Sequence, residues 1–96
     1  MNYRFLAPAK SELVEAVEFY EEAVPGLGLE FLDEVERTIA RIDLQPEAWN
    51  PISENQRRCR MRRFPFGLIY SIDDGEIVIS ALMHFRRHPD SCKDRI

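Results

Sequence analysis

The chain is poor in the residues that carry metal, redox and cofactor chemistry. Among its 96 residues are two cysteines, two histidines and four glycines. Cys59 and Cys92 are too few for a disulfide framework, and two unpaired thiols in a reducing, cytoplasmic compartment are expected. His88 and Cys92 stand four apart, but two ligands do not close a tetrahedral site, so no metal is expected. The glycines form neither a phosphate-cradling loop nor a dinucleotide fingerprint, so no cofactor is expected. No apolar run approaches the ~20 residues of a spanning helix, and residues 1–10 lack the apolar stretch of a signal peptide. A membrane partner is therefore not expected.

What the chain does have is a globular balance, 45% hydrophobic and 31% charged residues, in a length that allows one domain over residues 1–96. Its net charge of -4 is not spread evenly. Residues 1–54 hold 12 acidic and 4 basic residues, net -8; residues 55–96 hold 9 basic and 5 acidic, net +4. Five of those nine cations fall between Arg57 and Arg63. Solubility does not require such a cluster, and a compact cationic row beside an acidic half marks an interaction surface.

Hydrophobic periodicity orders the elements. Tyr3 and Phe5 alternate with Asn2 and Arg4, which predicts a strand over 2–6. Pro8 suits a first helical turn, and Leu13, Ala16, Val17, Tyr20 and Val24 recur at helical spacing through Ala23. Pro25-Gly26-Leu27-Gly28 is a corner with two glycines available for positive φ. A second helix over 29–43 has the stripe Phe31 or Leu32, Val35, Ile39 and Ile42, with Glu30, Asp33, Glu34, Glu36 and Arg37 outside. So short a link makes the pair an antiparallel hairpin. Residues 45–56 read as a loop anchored by Trp49. From Arg57 the period becomes two: Arg58, Arg60 and Arg62 alternate with Cys59 and Met61, and Pro65 interrupts the strand. Leu68–Ile72, an Asp73-Asp74-Gly75 turn and Glu76–His84 complete a meander, the last strand apolar enough to be central. The expected fold is α+β, in the order β-α-α-β-β-β, with the helical hairpin packed on one face of a mostly antiparallel sheet.

The chemistry-bearing residues fall into two groups. Arg58, Arg60 and Arg62 would project from one side of a strand, 6–7 Å or so apart. Such a row suits the carboxylates of an acidic partner by bidentate pairing, or the phosphates of a nucleic acid, or the glutamates of the protein's own helices. The second group, His84, Phe85, Arg86, Arg87 and His88 with Arg95, begins where the last strand ends. There arginines would stabilise developing charge and a histidine would move a proton, unless His84 merely closes a strand. A nucleophile built from Cys59 or Cys92 with His84 or His88 has no local feature to activate it.

These elements, in this order, resemble the RelE/ParE toxin superfamily. The resemblance rests on the Pro25-Gly26-Leu27-Gly28 corner, the phrase Arg63-Phe64-Pro65-Phe66-Gly67-Leu68-Ile69-Tyr70 and the Asp-Asp-Gly hairpin. The ending His84-Phe85-Arg86-Arg87-His88-Pro89, with Asp94-Arg95, completes it. The resemblance implies the toxin half of a bacterial type II toxin–antitoxin (plasmid stabilisation) module. A small antitoxin would neutralise it, and DNA would be met only through the antitoxin. The helical hairpin and the Phe-Pro-Phe-Gly phrase are more similar to the ParE-like side, which implies a protein-binding poison of DNA gyrase and not an enzyme. The alternative is a RelE-like endonuclease cutting mRNA on the ribosome, with Arg58, Arg60, Arg62, His84 and Arg86 as candidate residues. Ser91 and Cys92 stand where the family often has an aromatic pair, which speaks against that alternative and leaves a degenerate, non-toxic member as a third reading. For the antitoxin or target, the implied contacts are Arg58, Arg60, Arg62, Arg63, Phe64, Phe66, Arg86, Arg87 and Arg95.

Overall fold

In the computed structural model, which describes residues 1–85, seven elements follow one another. They are β1 (Tyr3–Phe5), α1 (Ala7–Ala23), α2 (Leu27–Leu44), β2 (Asn50–Pro51), β3 (Arg57–Arg60), β4 (Phe66–Asp73) and β5 (Glu76–His84). The five strands form one sheet in the order β1-β5-β4-β3-β2. β1 runs parallel to β5, and every other pairing is antiparallel. The α+β architecture is the expected one; β5, expected to be central, is an interior strand flanked by β1 and β4, and β4 takes the middle of the sheet. The addition is β2, two residues inside the expected 45–56 loop that pair with Arg57 and Arg58.

Both helices pack on one face of this sheet. Pro8 sits in the first turn of α1, where its missing N–H costs nothing. The stripe of α2 is buried as the periodicity predicts, with Phe31 and Ile42 fully covered and Val35 and Ile39 nearly so. From the sheet, Cys59, Leu68, Tyr70, Ile77, Ile79 and Leu82 meet it. Tyr20, Phe31, Phe64 and Phe66 form an aromatic cluster with ring centroids 4.9–6.3 Å apart.

The hairpin corner uses its two glycines differently from the expectation. Only Gly26 has positive φ (90°), and Gly28 lies inside α2. A Cβ on Gly28 would stand 2.9 Å from the carbonyl oxygen of Val17, so its role is close helix approach. Glu21 closes the same corner by accepting the N–H groups of Gly26 at 2.9 Å and Gly28 at 3.0 Å, which caps the start of α2.

The pairing of β4 with β5 slips by one residue: Ile69 faces Ala81, Tyr70 faces Ile79, and Ser80 is the extra residue. The slip carries the helix-facing side of β5 from Ile77 and Ile79 to Leu82 and His84. The N–H of Leu82 beside the bulge donates to Glu12 of α1 at 3.0 Å. Asp74 and Gly75, both with positive φ, form the two-residue β4–β5 turn.

Candidate partner-binding site

β3 ends sooner than its alternating sequence suggests. Only Arg57–Arg60 is strand, and the chain then bends, because Glu34 of α2 accepts the N–H groups of Arg62 at 2.8 Å and Arg63 at 3.1 Å. Glu34 was expected on the solvent side of α2. It is instead 5% exposed, with Arg37 at 3.6 Å as its ion pair. A carboxylate is tolerated there because three donors surround it. The charged residue type hid this role from sequence reasoning. The spacing alone marked it, since Glu34 lies one turn from both Phe31 and Thr38.

The cationic row therefore divides. Arg57 donates from Nη1 to the carbonyl of Trp49 at 2.8 Å. Arg63 pairs with Glu30 and lies over the ring of Phe64. Arg62 is exposed and lies beyond the strand, so it is not in line with the others. Arg58 and Arg60 do share a face. Between them Cys59 is fully buried in the core, so both project from the side of the sheet away from the helices. Burial pushes the Cys59 thiol up, the opposite of activation, despite Arg41 and Arg62 nearby.

On that side the two guanidiniums lie over one ring, that of Phe85, at 5.3 Å for Arg58 and 4.5 Å for Arg60. Gly67 provides the seat. Its register places it between Arg60 and Met83, and a Cβ there would stand 2.8 Å from the Phe85 ring. The N–H of Phe85 donates to Pro65 at 3.0 Å, which fixes the end of β5 over this spot. Beside Arg58 a shallow hollow of about 410 Å³ is lined by Ile52, Gln56, Ile69, Ser80 and Ala81. No carboxylate of the described residues pairs with Arg58, Arg60 or Arg62, whereas Arg4, Arg37 and Arg63 each have one.

The other expected contacts are placed differently. Phe64 is 8% and Phe66 6% exposed, both inside the aromatic cluster with the helices. His84 pairs with Phe66 across the ladder and packs edge-on against its ring at 4.7 Å. It thus lies on the helix side of the sheet, opposite Arg58 and Arg60, and the structure does not bring the three together. Arg86, Arg87 and Arg95, with His88, Ser91 and Cys92, lie outside the described residues. Among the described residues no group of three or more His, Cys, Asp or Glu is placed to hold a metal, and no helix is long and apolar enough to cross a membrane.

The family model described as ParE toxin of type II toxin–antitoxin system, parDE, matches residues 3–89. A solved structure titled "Chromosomal ParDE TA system from P. aeruginosa" is similar, with a TM-score of 0.73 and 17% identity over 88% of this chain and 95% of that one. At that identity the likeness is one of fold, and it extends across the sheet and the helical hairpin alike. No curated protein matches the chain.

Proposed function

We propose a function from one premise: the chain belongs to the ParE toxin family and is the toxin component of a type II toxin–antitoxin module. From this membership we propose that it acts by binding a protein, with DNA gyrase as the target, and that its cognate antitoxin silences it by covering the same cationic face. Among the described residues, the observation that carries the reading is the separation of His84 from Arg58 and Arg60 by the sheet. General acid–base cleavage of RNA needs a proton carrier within hydrogen-bond reach of the groups that hold the phosphate. His84 is packed against Phe66 on one side, and Arg58 and Arg60 are on the other. Arg58, Arg60 and the exposed Arg62 supply charge for recognition, and Arg63 is engaged by Glu30. In this reading Phe64 and Phe66 serve the site from below, by holding the bend that follows β3.

Induction of the chain without antitoxin tests the proposal. DNA-damage signalling, intact transcripts on primer extension and loss of supercoiling by purified gyrase are the expected results. Transcripts cut at codon boundaries on the ribosome would overturn it in favour of the endonuclease. Unimpaired growth, with gyrase unaffected, would mark a degenerate member kept for antitoxin binding.

A further inference from the structure

We propose that Arg58 and Arg60, lying over the ring of Phe85, form a reader for a pair of carboxylates on the antitoxin, and that Gly67 is its positioning residue. The inference rests on the toxin–antitoxin reading above and narrows it from a row of cations to two.

Three observations carry it. The first is charge left over. The acidic half of the chain is net -8, yet no carboxylate of the described residues pairs with Arg58 or Arg60. Glu12 takes the Leu82 N–H, Glu21 the corner of the hairpin, Glu30 takes Arg63, and Glu34 takes Arg37 with two backbone donors. None reaches Arg58 or Arg60.

The second is geometry. Both guanidinium carbons lie close to one ring centroid, so the two charges are held within about 10 Å of each other. That distance is comparable to the Debye length of ~8 Å at physiological ionic strength, and their repulsion is only partly screened. A ring face attracts each cation but does not neutralise it. Two cations concentrated this way are relieved by anions. A guanidinium over a ring face still has N–H groups to offer a partner, and these fit a carboxylate bidentately. Residues i and i+2 of a strand are about 6–7 Å apart, a spacing that alternate residues of an extended segment or successive turns of a helix reproduce.

The third is the floor. The hollow lined by Ile52, Gln56, Ile69, Ser80 and Ala81 adjoins Ile69, the ladder partner of Arg58, and its mixed polar and apolar lining has room for a side chain flanking the acidic pair. A side chain at Gly67 would put its Cβ 2.8 Å from the tip of the Phe85 ring, so the ring must shift and with it the platform shared by both arginines.

The test uses the full chain with the antitoxin encoded by the adjacent reading frame, purified as a complex and then measured by titration. R58Q and R60Q are each expected to weaken antitoxin binding 10- to 100-fold. Arg58→Lys with Arg60→Lys, which keeps the charge but loses the planar fork, should weaken it at least 10-fold. G67A, which changes no charge, should weaken it about 10-fold while thermal melting confirms a folded chain. The decisive arm is a charge exchange: R58E with R60E abolishes binding, and an antitoxin with two neighbouring acidic residues changed to lysine restores it. Equal binding by wild type and the double reversal would overturn the carboxylate reader and leave the toxin reading standing. Loss of binding to a single-stranded oligonucleotide, with antitoxin binding unchanged, would overturn it in favour of nucleic acid. An antitoxin product that fails to bind even the wild-type chain would bring down the toxin–antitoxin reading, and the reader with it.

Discussion

Glu34 and Glu30 sit one turn apart on α2, and their difference shows what decides the worth of a charged residue. Glu30 pairs with Arg63 at the surface, both about half exposed. Such a pair contributes ~0–1 kcal/mol, because water and salt do most of the same work. Glu34 is buried and receives two backbone N–H groups that have no other acceptor. Removing it strands both donors, each at a cost of ~1–3 kcal/mol. Glu34→Ala is therefore expected to lower stability by about 2–4 kcal/mol and Glu30→Ala by less than about 1, read as midpoint shifts at constant slope in urea. Glu34→Gln keeps one acceptor oxygen and should fall between them. The same residues explain the bend after Arg60, since N–H groups committed to a helix carboxylate are lost to the ladder. Alternation of arginines continued through Arg62, so the sequence read on as strand; the acceptor that stops it lies 28 residues away. Arg58 and Arg60 were legible from the period of two. Phe85 was legible only as part of the basic ending, and its place over Arg58 and Arg60 was not, because only the register that puts Gly67 beneath its ring reveals it.

At the level of elements, periodicity carried the reading wherever one face is apolar, and failed where the determinant is backbone shape. Both helices, the meander and the interior place of β5 follow from spacing. The bulge at Ser80 does not, because one extra residue leaves the apolar run of β5 unchanged while it reverses the facing of everything after it. Nor does β2, whose Asn-Pro sequence has no strand preference and is extended because β3 offers a partner. The hairpin corner is an intermediate case. The glycines were visible, but their separate reasons were not. Replacing Gly28 by Ala sets helix propensity, worth ~1 kcal/mol in favour of Ala, against a contact with the Val17 carbonyl that forces α1 and α2 apart. Overpacking of this kind costs about 1–3 kcal/mol and wins, because the neighbour is backbone and cannot rotate away. Gly28→Ala should thus destabilise by up to about 2 kcal/mol, measured by chemical denaturation. A stabilised variant would mean that the helices can separate without cost.

For the whole molecule, alkaline pH should weaken the core. Tyr70 is 1% exposed, and its hydroxyl donates to the carbonyl of Pro46 at 2.5 Å, tying the sheet to the chain after α2. Burial raises its pKa from 10.0 to about 12; Cys59 nearby adds to this and Arg57 opposes it. The burial of Cys59 raises its thiol from 9.0 in the same direction. In the unfolded chain both groups ionise at their ordinary values, and in the folded chain they stay neutral to higher pH. The stabilisation from a raised pKa in an acidic group is complete below the unfolded value and is lost as pH climbs through the folded one. For Tyr70 the window runs from pH 10.0 to about 12. The loss is of the order of 2–3 kcal/mol, comparable to a large part of the ~5–10 kcal/mol that holds a domain of this size. The fold's own charge adds to this, because a chain at net -4 gains further negative charge with each ionisation. Midpoints of urea unfolding taken from pH 8 upward should fall gently at first, as Cys59 begins to count, and steeply above pH 10. In Tyr70→Phe, which keeps the ring and loses both the titration and the bond to Pro46, the curve should start lower and flatten across that window. A variant that kept the wild-type slope there would show that the alkaline loss arises elsewhere in the molecule. Since α2 and the strands meet around this tyrosine, the same titration should melt the hairpin and the sheet together, with far-ultraviolet and tyrosine absorbance signals moving through one transition.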